Sequence, residues 1–117
     1  EIRMGNLDAR RDWGHAKDYV EAMWMILQAD KPEDYCCSTG VSHSVKDCCE
    51  YVFSKLGMDY KDYYVLDKRY LRPEELEDLK GDSTKIRTEL GWDPKYTFET
   101  LMDDMVESDE NFPIVKN

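Results

Sequence analysis

Apolar side chains recur at helical spacing in three long stretches of the chain. Ala16, Tyr19, Val20, Met23, Ile26 and Leu27 predict a helix from about Gly14 to Ala29, with Asp12 as its cap and Lys31-Pro32 as its end. Val45, Cys48, Cys49, Val52 and Leu56 predict a second. Ser44 starts it, Asp47 three residues on completes an imperfect capping box, and Gly57 stops it. Phe98, Leu101, Met102, Met105 and Val106 line one face of a third, capped by Thr97. A shorter helix is expected from Gly81-Asp82-Ser83 to Leu90, closed by Gly91. Arg72 precedes a proline and is pushed towards an extended conformation. Pro73 suits the first position of a short acidic helix, Glu74 to Leu79.

Strand signals are few and short. Ile2 to Leu7 reads as a strand end running into a turn. Tyr35 to Ser38 and Tyr63 to Leu66 are the other candidates, the first closed by Thr39-Gly40. The fold class is therefore α/β and helix-rich, with strands too few and too short for an independent sheet. No internal repeat interrupts this reading. Residues 1–110 form one lobe, and the tail over 111–117 is expected to be loose.

Composition narrows the function classes. The chain has 117 residues, 41% hydrophobic and 12% aromatic, enough for a packed core in a single domain. Its 26 acids against 16 bases give a net charge of −10, which repels polyanions and argues against nucleic-acid binding. The longest apolar run, Ala22 to Leu27, is far short of a membrane span. The N-terminal Glu1 to Gly5 stretch has no apolar h-region, and position 1 is not Met, as expected of a cropped cytosolic chain. The 4 cysteines, in the pairs Cys36-Cys37 and Cys48-Cys49, are expected to be reduced structural thiols. Neighbours on a strand point to opposite faces, so Cys36 and Cys37 cannot share one ion, and there is no C-x-x-C. No metal site is expected.

Two arginine contexts carry candidate chemistry. Arg10-Arg11-Asp12 lies just before a predicted helix start, where a guanidinium fork and free helix N–H groups suit a phosphate. Arg72 projects from the segment locked by Pro73, with Glu75 three residues on. The residues alone leave open a second reading, two surface arginines answering a surplus of acids.

Longer motifs favour the first. Gly5-Asn6-Leu7-Asp8-Ala9-Arg10-Arg11-Asp12-Trp13-Gly14-His15-Ala16-Lys17-Asp18-Tyr19-Val20-Glu21-Ala22-Met23-Trp24 is followed by Ser38-Thr39-Gly40 and His43-Ser44-Val45. Arg69-Tyr70-Leu71-Arg72-Pro73-Glu74-Glu75, Gly81-Asp82-Ser83-Thr84-Lys85 and Leu90-Gly91-Trp92-Asp93-Pro94-Lys95 follow in the same order. Over roughly residues 3–109 this resembles the GDP-mannose 4,6-dehydratase family, extended short-chain dehydrogenase/reductases, in its C-terminal part only. The resemblance implies a helix-rich substrate-binding lobe that packs against an N-terminal Rossmann half and takes GDP-mannose between the two. It implies that Arg11 and Arg72 contact the GDP pyrophosphate, that Glu75 contacts ribose or sugar, and that Asn6 borders the nucleotide.

The resemblance also implies an internal redox cycle in the parent enzyme. NADP takes hydride from C4 of GDP-mannose, water leaves across C5 and C6, and the hydride returns to C6. The product, GDP-4-keto-6-deoxymannose, is a GDP-fucose precursor. The resemblance assigns the glycine-rich NADP loop, the catalytic Thr and Glu and the catalytic Tyr-x-x-x-Lys pair of the family to the N-terminal Rossmann half, outside the matched part. The chain alone is therefore expected to be inactive, with no catalytic residue of its own and no NADP bound, and to form homo-oligomers through helix faces left bare. Cys36-Cys37 replaces the family's apolar pair, Glu74-Glu75-Leu76 is more acidic than usual, and the stretch from Leu56 to Arg69 is short. Other readings are a non-catalytic interaction or oligomerisation module, or the lobe of a related epimerase or reductase.

Overall fold

The computed structural model describes residues 1–111. Nine regular elements follow one another: β1 (Ile2–Met4), β2 (Arg10–Asp12), α1 (Ala16–Gln28), β3 (Ser42–Ser44), α2 (Val45–Lys55), β4 (Tyr64–Leu66), β5 (Asp78–Leu79), α3 (Thr84–Leu90) and α4 (Phe98–Asn111). Single 3₁₀ turns at Tyr60–Asp62 and Lys68–Tyr70 flank β4. Asn111 thus ends α4, and the tail expected beyond it lies outside the described residues.

The strands form two small sheets. β1 pairs with β4 in parallel, Ile2 opposite Tyr64 and Met4 opposite Leu66. β2 is the centre of a three-stranded sheet, antiparallel to β3 and parallel to β5. The loop over residues 5–9 joins the two sheets.

The helix ends follow local rules. Ser44 Oγ accepts from the Asp47 N–H, and the Asp47 carboxylate accepts from the Ser44 N–H, so the capping box is complete. Gly91 stops α3 at φ 71°, a conformation that disfavours a Cβ. Thr97 Oγ1 accepts from the Thr100 N–H at the start of α4.

Two apolar clusters hold the helices. Ala22, Ile86 and Trp92 form one, with Tyr19, Ile26, Tyr35 and Leu90 packed around it. Phe98, Leu101 and Met102 form the other, against Trp13, Cys48, Tyr51 and Val52. Asp18 ties them together. Its buried carboxylate accepts the N–H groups of Lys95 and Tyr96, and its carbonyl accepts the Trp92 indole N–H. Among the described residues no helix is long and apolar enough to cross a membrane.

Four expectations are corrected. Asp12 does not cap α1: it ends β2, and the cap is His15, whose Nδ1 accepts from the Lys17 N–H at 3.0 Å. Glu74 to Leu79 is not a helix. The Glu77 carbonyl accepts the Arg10 N–H, and Asp78–Leu79 joins β2 as a strand, so sheet pairing overrides the helical start signal. Tyr35 to Ser38 forms no strand, having no ladder partner among the described residues. On α1, burying Asp18 turns Tyr19, Ala22 and Ile26 inward. Val20 and Leu27 therefore face out, 63% and 80% exposed, with Met23 and Trp24 beside them.

Candidate functional site

The parallel β1–β4 ladder places the loop after β1 beside the segment after β4. Gly5 makes this approach possible, since a Cβ there would sit 2.5 Å from the Tyr70 carbonyl oxygen. Asn6 shapes the turn that follows: its Oδ1 accepts the Asp8 N–H at 2.9 Å. Tyr64 closes the base of the loop by donating its hydroxyl to the Gly5 carbonyl. Between loop and segment lies a cleft of about 580 Å³. Asn6, Lys46, Tyr60, Tyr64, Arg72 and Glu75 line it together with the apolar Leu66 and Leu71. Its size and its mixture of apolar wall and polar rim suit a small organic ligand.

The cleft gathers three of the four site residues predicted from sequence: Asn6, Arg72 and Glu75. Glu75 is held in place from two sides. Asn6 Nδ2 donates to one carboxylate oxygen and Arg11 to the other, both at 3.4 Å. Arg11 is itself anchored, donating to the Leu76 carbonyl at 2.8 Å. It stands behind Glu75 and is absent from the cleft lining; it faces instead a smaller hollow of about 260 Å³ beside Tyr19, Cys36 and Lys80. In this arrangement Arg11 sets the position of Glu75. It does not lie at a helix start, as the sequence reading had it, because β2 occupies residues 10–12.

Arg72 differs. It is exposed at the cleft and makes no hydrogen bond or ion pair among the described residues. Every other arginine does: Arg3 and Arg69 reach Asp67, Arg10 reaches Ser42, and Arg87 reaches Ser83. In a chain of net charge −10 this guanidinium, without an acidic partner among the described residues, has its donors free at the cleft. The Arg11 cation offsets Glu75, so the cleft does not repel an anion through that residue.

Sequence reasoning missed two residues here. Asp12 accepts four hydrogen bonds, from the Thr39 N–H and hydroxyl and from the N–H groups of Gly40 and Gly81. Burial pushes its carboxyl up, but these bonds outweigh burial and hold it below its ordinary value. Lys46 reaches the cleft from the first turn of α2, with no local signal beyond the capping box around it. The cysteines take no part in the cleft. Burial pushes the thiols of Cys37, Cys48 and Cys49 up, and Cys48 and Cys49 lie against Met102 and Met4.

The fold and this cleft define a class: the C-terminal lobe of an extended short-chain dehydrogenase/reductase. The dTDP-glucose 4,6-dehydratase of Bacillus anthracis, solved with NAD, superposes with a TM-score of 0.81 at 25% identity, over 95% of this chain and 35% of that one. The UDP-glucose 4-epimerase of Thermotoga maritima, solved with UDP-glucose, gives 0.82 at 23% identity, over 95% and 35%. Within the class the match is narrower. The model of the family described as GDP-mannose 4,6 dehydratase matches residues 1–105, and the chain belongs to that family. GDP-mannose 4,6 dehydratase 1 of Arabidopsis thaliana is 50% identical over 93% of the chain, and the human GDP-mannose 4,6 dehydratase 42% over 91%. The chain spans 30% of the first relative's length and 33% of the second's, about a third.

Proposed function

We propose that this chain is the GDP-mannose-binding part of a cytoplasmic enzyme that converts GDP-D-mannose to GDP-4-keto-6-deoxy-D-mannose, the step towards GDP-fucose. The observation that carries this reading is the unpaired Arg72 at the cleft beside Asn6 and the clamped Glu75. Arg72 takes the pyrophosphate, Glu75 accepts from ribose or sugar hydroxyls, and Asn6 closes the nucleotide edge. Arg11 acts through Glu75 and contributes positive field from behind it. These residues bind and orient the substrate; the proton and hydride steps belong to residues of a longer protein.

The family implies NADP, and the residues present do not fit it. The chain has no glycine-rich phosphate loop. Its two Tyr-x-x-x-Lys spacings are otherwise engaged, Tyr51 and Lys55 both donating to Asp103 and Tyr64 donating to the Gly5 carbonyl, so no step is routed through the cofactor here. The proposed partner is the Rossmann half of the same enzyme. The outward row Val20, Met23, Trp24 and Leu27 on α1 supports this. The same bare face supports self-association of the chain on its own.

The test is Arg72→Ala in the full-length protein that carries this chain. The diphosphate has the same charge in ground and transition states, so its contacts are uniform binding. KM for GDP-mannose should rise about ten- to a hundredfold, the loss of one charged hydrogen-bonding partner, with kcat little changed. Arg72→Lys should recover only part, because a point charge cannot reproduce the fork. An unchanged KM for Arg72→Ala would return this residue to an ordinary surface charge.

A further inference from the structure

Lys46 shares with Arg72 both of its unusual features. It lines the same cleft, and its ammonium has no hydrogen bond or ion pair among the described residues. Acids are not lacking nearby. Asp47 is next in sequence, but its carboxylate is engaged by the Ser44 N–H and by Arg10. Asp8 lines the cleft without meeting Lys46.

The backbone under Lys46 is fixed on the cleft wall. The Val45 N–H donates to the Ala9 carbonyl at 3.1 Å and the Lys46 N–H to the Leu7 carbonyl at 2.9 Å. These two bonds bolt the first turn of α2 onto the same loop that carries Asn6. The lysine is therefore carried at a set place on the cleft, with only its side chain free.

We infer that Lys46 is the second cation of this cleft and binds the phosphates of a nucleoside diphosphate sugar together with Arg72. The inference rests on the nucleotide-sugar reading above. Each phosphate of such a ligand carries one negative charge, and the cleft offers two unpaired cations to match. Asp8 and Glu75 are then free to accept hydroxyl or amino protons, Glu75 with its charge already offset by Arg11. The two cations also differ in kind. Arg72 supplies a planar fork and Lys46 a mobile point charge, so Lys46 should respond to charge rather than to donor geometry.

The experiment is equilibrium binding of GDP-mannose, GMP and guanosine to the full-length protein and to its Lys46→Ala, Lys46→Glu and Lys46→Arg variants, with Arg72→Ala in parallel. Lys46→Ala should weaken GDP-mannose about tenfold, GMP less, and guanosine not at all. Lys46→Glu should weaken GDP-mannose about a hundredfold. The fold is safe in that variant, since an acid in the first turn of a helix is favoured and Lys46 is exposed. Lys46→Arg should keep affinity within about threefold because the charge stays. Raising salt should weaken GDP-mannose binding less in Lys46→Ala than in the parent. If Lys46→Ala binds normally while Arg72→Ala does not, the inference fails and the cleft reading stands. If both bind normally, the cleft reading fails with it. An equal loss for guanosine would put Lys46 on the base and overturn the phosphate role.

Discussion

Replacing Asp12 by Asn separates two accounts of the same residue. As a helix cap Asp and Asn are equivalent, and the exchange would be close to neutral. In the structure Asp12 instead binds two separate segments of the chain, Thr39-Gly40 and Gly81. One carboxylate oxygen accepts the Thr39 N–H at 2.9 Å and the Thr39 hydroxyl at 2.6 Å. The other accepts the Gly40 N–H at 2.9 Å and the Gly81 N–H at 3.4 Å. Asn keeps one oxygen and turns an NH₂ group towards the remaining donors. At least one backbone N–H loses its acceptor, and the charge that strengthened the others is gone. The expected loss is about 2 kcal/mol, which for a chain of this size lowers Tm by about 8–16 °C. Thr39→Val removes the hydroxyl alone and should lose about 1 kcal/mol, and the double variant should lose less than the sum. Urea unfolding followed by Trp fluorescence gives these differences from the midpoint at constant slope. A Asn variant within about 0.5 kcal/mol of the parent would refute this account and restore the cap.

The remaining predictions concern acid, core, surface and the second arginine. Asp12, Asp47, Asp67, Asp82, Asp103 and Asp104 all have carboxyls held below their ordinary value, the last two chiefly by hydrogen bonds from Lys55 and from His15. Their contribution is complete above the unfolded value of about 3.9 and is lost as pH falls through the lower folded values, so the urea midpoint should be flat from pH 7 to 5 and drop near pH 3. Ile86→Ala, at a side chain with 0% exposure between α1 and Trp92, should lose about 2–5 kcal/mol by thermal melting. Trp24→Ser with Leu27→Ser should make this chain, on its own, sediment as a smaller species with unchanged far-UV circular dichroism. Arg11→Ala should lower the melting temperature as well as raise KM, whereas Arg72→Ala should raise KM at unchanged stability, because only Arg11 holds backbone and carboxylate acceptors.

What the sequence determined by itself is what depends on neighbours three or four residues away. The Ser44–Asp47 box, the Thr97 cap, the Gly91 stop and the central parts of the apolar faces of α2 and α4 arise within a turn or two and are found where the spacing put them, while Leu56 and Met105 at the far ends of those faces are exposed. The long motif from Gly5 to Trp24 carried the family as well, because a run of specific residues needs no tertiary context to be matched. Tertiary structure decided whatever has a distant partner. Glu74 to Leu79 had a proper helix start, yet Arg10 and Arg11 take the carbonyls of Glu77 and Leu76 from more than sixty positions away and draw the segment into a sheet. Asp12 looked like a cap because an acid before an apolar helix usually is one; its donors lie 27 to 69 residues further on. The two arginines looked alike as motif members. Only the packing of β2 against β5 turned Arg11 inward onto Glu75 and left Arg72 open to the cleft, since hydrogen-bond partners across a chain are set by the register of strands and not by the residues that flank them.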